Sequence, residues 1–251
     1  MTFLGLFRRE LRAYFVSPLF YAVAAVFSCL CGYFFYTQLI FYVQYGYGVN
    51  ILGNLWLTLL AGAPYSISMV LLVVLPLLTM RLFAEEKRLG TIELLLTYPL
   101  RDRTILAAKY GACAAVLIVL LAGTVVYPLY IHQIQPLPWQ PVVAGYLGLL
   151  LLGLSFIACG LFISALTDSQ VVAAIATLGL LLLCWALTWN EAATSPALLR
   201  AVAQVSMFDH FEPFARGVIN AVDLAYFVFV ITFFNALTLR ALESRNWRGR
   251  R

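Results

Sequence analysis

Six long stretches of this chain contain no Asp, Glu, Lys or Arg: Leu19 to Val43, Leu55 to Met80, Tyr110 to Ile131, Val142 to Leu166, Val171 to Trp189 and Leu224 to Leu239. In hydrocarbon every backbone N–H and C=O must find its partner within the protein, and an apolar helix does this inside one segment. Five of the stretches have the length needed to cross about 30 Å of hydrocarbon. The last has 16 residues; residues 217–220 lengthen it at one end, and Arg240 snorkels at the other. The predicted fold class is therefore an all-α integral membrane protein with six transmembrane helices, one domain over 1–251. Composition agrees, with 63% hydrophobic and 11% charged residues and a mean hydropathy of +0.93, against about 25% charged in soluble domains.

Orientation follows from the cations, because Lys and Arg flanking spans are retained on the cytoplasmic side. Arg8, Arg9 and Arg12 precede the first span, six cations lie from Arg81 to Lys109, and five follow the last span. Fourteen of the sixteen thus fall on one face, leaving Arg200 and Arg216 opposite. Both termini are expected in the cytoplasm. The resulting map is an N-terminal segment 1–18, spans 19–43, 55–82, 106–131, 142–166, 171–190 and 223–241, a cytoplasmic loop 83–105, an extracytoplasmic segment 191–222 and a tail 242–251.

The first span is expected to remain in the mature chain, since it has 25 residues and no small-residue cleavage site follows. Cys29, Cys31, Cys113, Cys159 and Cys184 all fall within spans, odd in number and without CxxC spacing, which argues against a disulfide framework or a metal site. Phe3, Leu4, Phe7, Leu11 and Phe15 recur at helical spacing beside the three N-terminal arginines, a pattern suited to an interfacial helix or to a simple topogenic flank. Thr167 and Gln170 have capping-box spacing between the fourth and fifth spans. In the outer segment Ser195-Pro196 reads as a helix start, and Phe208, Phe211 and Phe214 recur every three residues near His210, Glu212 and Arg216.

The cytoplasmic loop carries the densest polar run, Glu85-Glu86-Lys87-Arg88-Leu89-Gly90-Thr91-Ile92-Glu93, then Leu94 to Pro99. Gly90 permits a turn that other residues resist. Thr91 is placed to cap a short helix that Pro99 ends. Ile92, Leu95, Leu96 and Pro99 fall on one stripe of that helix. Under two turns, it is not stable alone, so the stripe requires a partner groove or the bilayer surface.

The pattern Glu85-Glu86-Lys87-Arg88-x-Gly90-Thr91-x-Glu93-x-Leu95-Leu96-Thr97-x-Pro99 resembles the first cytoplasmic loop of ABC-2 type transporter permeases. Over the whole chain the resemblance implies a type V exporter-like domain, with a coupling helix between spans two and three and short re-entrant helices between spans five and six. The runs Ile163 to Ala174 and His210-Phe211-Glu212 with Arg216 to Ile219 and Asp223-Leu224 are most similar to the gliding-motility permeases and their relatives in nitrous-oxide-reductase maturation. The resemblance implies that Glu85, Glu86, Arg88, Gly90, Thr91, Ile92, Glu93, Leu95, Leu96 and Pro99 couple to an ATPase. It also makes Phe208, His210, Phe211, Phe214 and Arg216 candidates for an extracytoplasmic gate, with ordinary packing the competing role for the phenylalanines. Two soluble ATPase subunits, a second permease chain (identical or paralogous) and an extracytoplasmic auxiliary subunit are the implied partners, and the bacterial inner membrane the implied location.

No Gly-x-x-x-x-Gly-Lys-Ser/Thr loop is present, so ATP and Mg would be held by the partner ATPase and no cofactor by this chain. Nor do the uncharged spans offer the acids, bases or metal ligands of an intramembrane enzyme. The expected function is the permease subunit of an ATP-driven transporter of unidentified substrate. The alternative is a complex that remodels or assembles an extracytoplasmic partner.

Overall fold

The computed structural model describes residues 3–45, 56–61, 65–90, 102–134, 138–186 and 206–248, and all regular structure among them is helical. The elements are α1 (Phe3–Val16), α2 (Pro18–Tyr45), α3 (Leu57–Ala61), α4 (Ile67–Thr79), α5 (Arg81–Arg88), α6 (Asp102–Thr124), α7 (Val126–Ile134), α8 (Trp139–Leu166), α9 (Gln170–Ala186), α10 (Met207–Ala215) and α11 (Ala221–Arg248).

Five helical rods are long and apolar enough to cross a membrane: Pro18–Phe41, Ile67–Arg88, Asp102–Gln133, Trp139–Leu166 and Ala221–Glu243. Gln170–Ala186 is apolar but shorter. It touches α5 at one end of the molecule and α10 at the other. The shortfall in length therefore falls on the fifth expected span. The sixth, short in uncharged residues, lies within a helix of 28 residues because α11 continues through Arg240 and Glu243.

α8 is the central helix, packed by α3, α4, α5, α6, α9, α10 and α11 or adjoining them. Four glycines make this possible, each facing a different neighbour. A Cβ on Gly148 would stand 2.5 Å from Phe214 Cβ on α10, one on Gly153 2.6 Å from a Leu117 methyl on α6, and one on Gly160 2.7 Å from Thr79 Cβ on α4. At Gly145 it would run into the Leu60 side chain of α3. These helices approach α8 more closely than any larger residue there permits, the small-residue packing that replaces the hydrophobic drive inside a bilayer. By contrast, α2 and α11 leave most of their surface outward.

Two expectations change at the local level. Instead of one span from Leu55, there is a short α3 and a separate rod beginning after Ser66, whose backbone is extended at φ −131° and ψ 158°. The fully enclosed Trp56 donates its indole N–H to the Pro141 carbonyl at 3.3 Å. That bond ties the residue just before α3 to the start of α8, while α3 itself also packs against α4 and α10. The capping box at Thr167 also does not form, because Thr167 is the C-cap of α8 and its hydroxyl accepts from the Ser169 amide at 3.2 Å. α9 begins at Gln170, and it is Ser169, just before it, whose Oγ accepts from the Val172 amide at 3.5 Å.

The charged ends of the helices assemble together. α1 lies against α6, α5 against α8, and Glu243 of α11 stands close enough to Asp102 to help raise that carboxyl's pKa, after the larger effect of burial. The opposite end collects Trp56, Pro141, α10 and the start of α11. Both ends of the described chain thus reach the charged end.

Candidate functional site

The rod formed by α4 and α5 enters the charged end through an interrupted helical ladder. Pro76 lies inside α4, where a proline lacks its amide donor. Four residues on, Met80 keeps helical angles (φ −54°, ψ −29°), so the chain continues as one rod. At the junction the buried Ser164 hydroxyl of α8 accepts from the Phe83 and Ala84 amides at 3.1 Å each and donates to the Met80 carbonyl at 3.1 Å. The amide missing at Pro76 concerns the Leu72 carbonyl one turn earlier; the Ser164 hydroxyl serves the separate turn at Met80, where α4 gives way to α5. Met80 to Ala84 is therefore pinned to α8 by one side chain. The rod ends in a left-handed cap, with Gly90 at φ +68° and its amide on the Lys87 carbonyl at 3.1 Å.

Beyond that junction, α5 turns its polar residues inward to three neighbours. Lys109 of α6 is enclosed, its ammonium donating to Glu86 Oε1 at 2.8 Å and to Glu10 Oε2 of α1 at 3.2 Å. It also lies 5.4 Å from the centre of the Phe83 ring. Arg9 closes the group, 2.8 Å from Glu10 and 3.6 Å from Glu86. Burial disfavours the Glu10 charge, but Lys109 and Arg9 outweigh it and hold the pKa below its ordinary 4.5. Arg81 bridges to Glu85 at 2.9 Å and donates to Ser17 Oγ at 2.7 Å, in the one-residue joint between α1 and α2. The Lys87 side chain, 3% exposed, donates to the Ala165 carbonyl and stands 3.6 Å from Asp168 in the α8–α9 turn. A cavity of about 380 Å³ opens among α1, α5 and α6, lined by Arg9, Glu10, Tyr14, Arg81, Glu86 and Lys109 with neighbouring side chains.

Among the loop residues singled out from sequence, Glu85 and Glu86 are engaged within the chain, Arg88 is exposed, and Gly90 forms the cap. Thr91, Ile92, Glu93, Leu95, Leu96 and Pro99 lie outside the described residues. Glu10, Ser17, Arg81, Lys87, Lys109, Ser164 and Asp168 were missing from the candidate set. Two carried a readable signal: Glu10 is the only acid before Glu85, and Lys109 adjoins an uncharged span. A lone acid among arginines and a lone cation at a span boundary each call for a partner.

At the opposite end, Ser206 caps α10 by accepting from the Asp209 amide at 3.2 Å. Phe211 and Phe214 are fully enclosed and Phe208 nearly so, against α8 and Phe227. The three rings fasten α10 to the bundle. His210 Nδ1 is 2.6 Å from Asp223 Oδ1 on the first turn of α11, and Asn220 donates to the other carboxylate oxygen at 3.0 Å. The imidazole also stacks on Tyr226 at 3.9 Å. Arg216 pairs with Glu212 at the surface. Gly217, at φ +87°, ends α10 in a paired cap, its amide on Phe214 and the Val218 amide on Pro213. The predicted helix start at Ser195 lies outside the described residues.

The arrangement is a rod bonded to three helices at one end of a membrane bundle, and a short helix clamped across the other. No curated protein matches the chain in sequence. Residues 7–239, nearly the whole chain, match the family described as ABC-2 family transporter protein. The chain is a multi-pass membrane protein that belongs to the ABC-2 transporter family.

Proposed function

We propose that this permease subunit converts ATP hydrolysis by a separate soluble ATPase into movement of its membrane helices, driving export or translocation of a substrate. Two ATPase subunits and a second permease chain complete the assembly, with ATP and Mg on the ATPases. The charged end faces the cytoplasm of a bacterial inner membrane, in keeping with the distribution of Lys and Arg. Gln170–Ala186 serves as a sixth crossing, supported by its contacts at both ends of the bundle.

The observation that carries this reading is the bonding of α5. Its C-terminal cap, Gly90, leads directly into the segment from Thr91 to Pro99, whose apolar stripe is suited to an ATPase cleft. Force delivered there passes into α5. Glu86 transmits it to α6 and α1 through Lys109, Lys87 to the α8–α9 turn, and Arg81 to the α1–α2 joint. A single docking element thereby addresses most of the bundle.

The test is co-expression with a candidate soluble ABC ATPase, co-purification, and ATPase assay in proteoliposomes. Leu95→Asp is expected to weaken ATPase capture about 30-fold, the scale of an interface hot spot, while leaving the membrane domain assembled. Unchanged capture and unchanged ATPase stimulation in a well-assembled variant would refute the coupling role.

A further inference from the structure

We propose that the outward ridge of α1 is a binding site for the headgroup of an anionic phospholipid, held by Arg8 and Arg12. Leu4, Arg8, Arg12 and Val16 are spaced four residues apart and so form one ridge of the helix. All four are exposed, Leu4 at 55% and Val16 at 71%. The opposite side of α1 is occupied by the core: Leu6 is enclosed, Phe7 lies against Gly111, and Glu10 reaches Lys109. Arg9, one residue from the ridge, is committed to Glu10 and Glu86. Arg8 and Arg12 have no ion-pair partner among the described residues.

Depth selects the ligand. Only Ser17 separates α1 from α2, whose uncharged run begins at once, and the Tyr14 hydroxyl donates to the Leu78 carbonyl of the spanning rod at 3.0 Å. α1 is therefore fixed where hydrocarbon gives way to headgroups. At that level Leu4 and Val16 meet acyl chains and the two guanidinium groups meet phosphates, which they bind in a planar fork. A ridge facing water alone would leave the apolar residues at both its ends without a matching phase. Gly5 and Ala13 add little bulk beside the arginines, leaving a shallow hollow bounded by Arg8, Arg9, Arg12 and Val16. This site does not depend on the ATPase coupling, since it requires only that the bundle sit in a bilayer.

The experiment is native mass spectrometry of the full chain in detergent, titrated separately with phosphatidylglycerol and phosphatidylcholine. The wild type should bind phosphatidylglycerol preferentially. The variant with both Arg8→Gln and Arg12→Gln should lose about 30-fold in that affinity, from about 1 kcal/mol per interfacial cation, with phosphatidylcholine binding unchanged. Each single variant should lose about fivefold, which keeps the test decisive if the double variant unfolds. Replacing both by Lys should retain part of the preference, since the charge survives and the planar fork is lost, and Arg103→Gln on α6 should have no effect. Undiminished phosphatidylglycerol binding in the Gln variants would overturn the site. So would an equal loss in Arg103→Gln, which marks diffuse charge, or displacement of the lipid by millimolar inorganic phosphate, which marks a soluble anion. Capture of the ATPase, rather than lipid, weakened by the Gln variants would identify a protein contact and equally sink the proposal.

Discussion

Lys109→Met separates the role of the buried charge group from that of packing, because the thioether side chain nearly matches the lysine stem in volume. In the wild type one ammonium, 2% exposed, faces carboxylates only 12% and 18% exposed, at 3.2 Å and 2.8 Å. Removing one member of a buried ionic group costs roughly 3 to 5 kcal/mol, chiefly because the remaining charges lose their compensation. Arg9 still touches both carboxylates, so the lower value, about 3 kcal/mol, is expected. For a chain of this size that corresponds to a fall of about 6 to 12 °C in unfolding temperature. Cys31, Cys113 and Cys159 are buried thiols, so a thiol-reactive fluorophore follows unfolding of the purified chain. The sign with pH is fixed by Glu10, whose folded-state pKa is depressed below 4.5. Its contribution is complete above that value and is lost as pH falls through the lower folded value. The variant lacks most of this contribution, so its gap from wild type is widest at about pH 7 and narrows towards about pH 4, where Glu10, deprived of Lys109, takes up a proton. Adding Glu10→Gln to Lys109→Met should recover part of the loss. A variant melting within about 2 °C of wild type at pH 7, or a gap that widens in acid, would refute the assignment of the group as a stabilising ionic joint.

Gly160→Ala should destabilise the chain by about 1 to 3 kcal/mol through overpacking against Thr79, and Thr79→Ala should relieve only part of it, because the Cβ at 2.7 Å remains while the hydroxyl and methyl are removed; an additive double variant would show that the two positions do not meet. Asp223→Asn should cost about 1.5 to 3 kcal/mol, the range for a hydrogen bond to a charged group. Amide exchange from Met207 to Asp223 should rise with it, and unchanged protection there would remove the His210–Asp223 contact as the clamp on α10.

The spans were legible because their cause is one-dimensional: charge is excluded along a run, and Leu19 to Val43 or Val142 to Leu166 shows this without reference to any neighbour. Gly90 and the helix at Phe208 to Phe214 were legible for a similar reason, since backbone freedom and local periodicity belong to the segment itself. The break before Ile67 was not, since no charge stands at Ser66 to mark it, and the contact between Trp56 and the Pro141 carbonyl joins residues 85 apart in sequence. The polar joint was half visible. Glu86 stood out by composition, whereas Lys109, Glu10 and Ser164 acquire meaning only when α1, α5, α6 and α8 meet. The coupling role that the resemblance implies for Glu86 gave no sign of its internal partner, Lys109.

The four glycines of α8 limit how the bundle can move. Successive residues of a helix are turned by about 100°, so even a partial rotation of α8 about its own axis would swing a side chain into α3, α6, α10 or α4, at levels spread over 15 residues. Sliding along the axis meets the same obstruction, since each notch accepts one particular group. α8 is thus keyed to four neighbours: turning or sliding it would force the Leu60 and Leu117 side chains to repack and would bring new bulk against Thr79 and the Phe214 Cβ. Its contacts with α9 and α11 carry no glycine key, so relative movement meets least obstruction there.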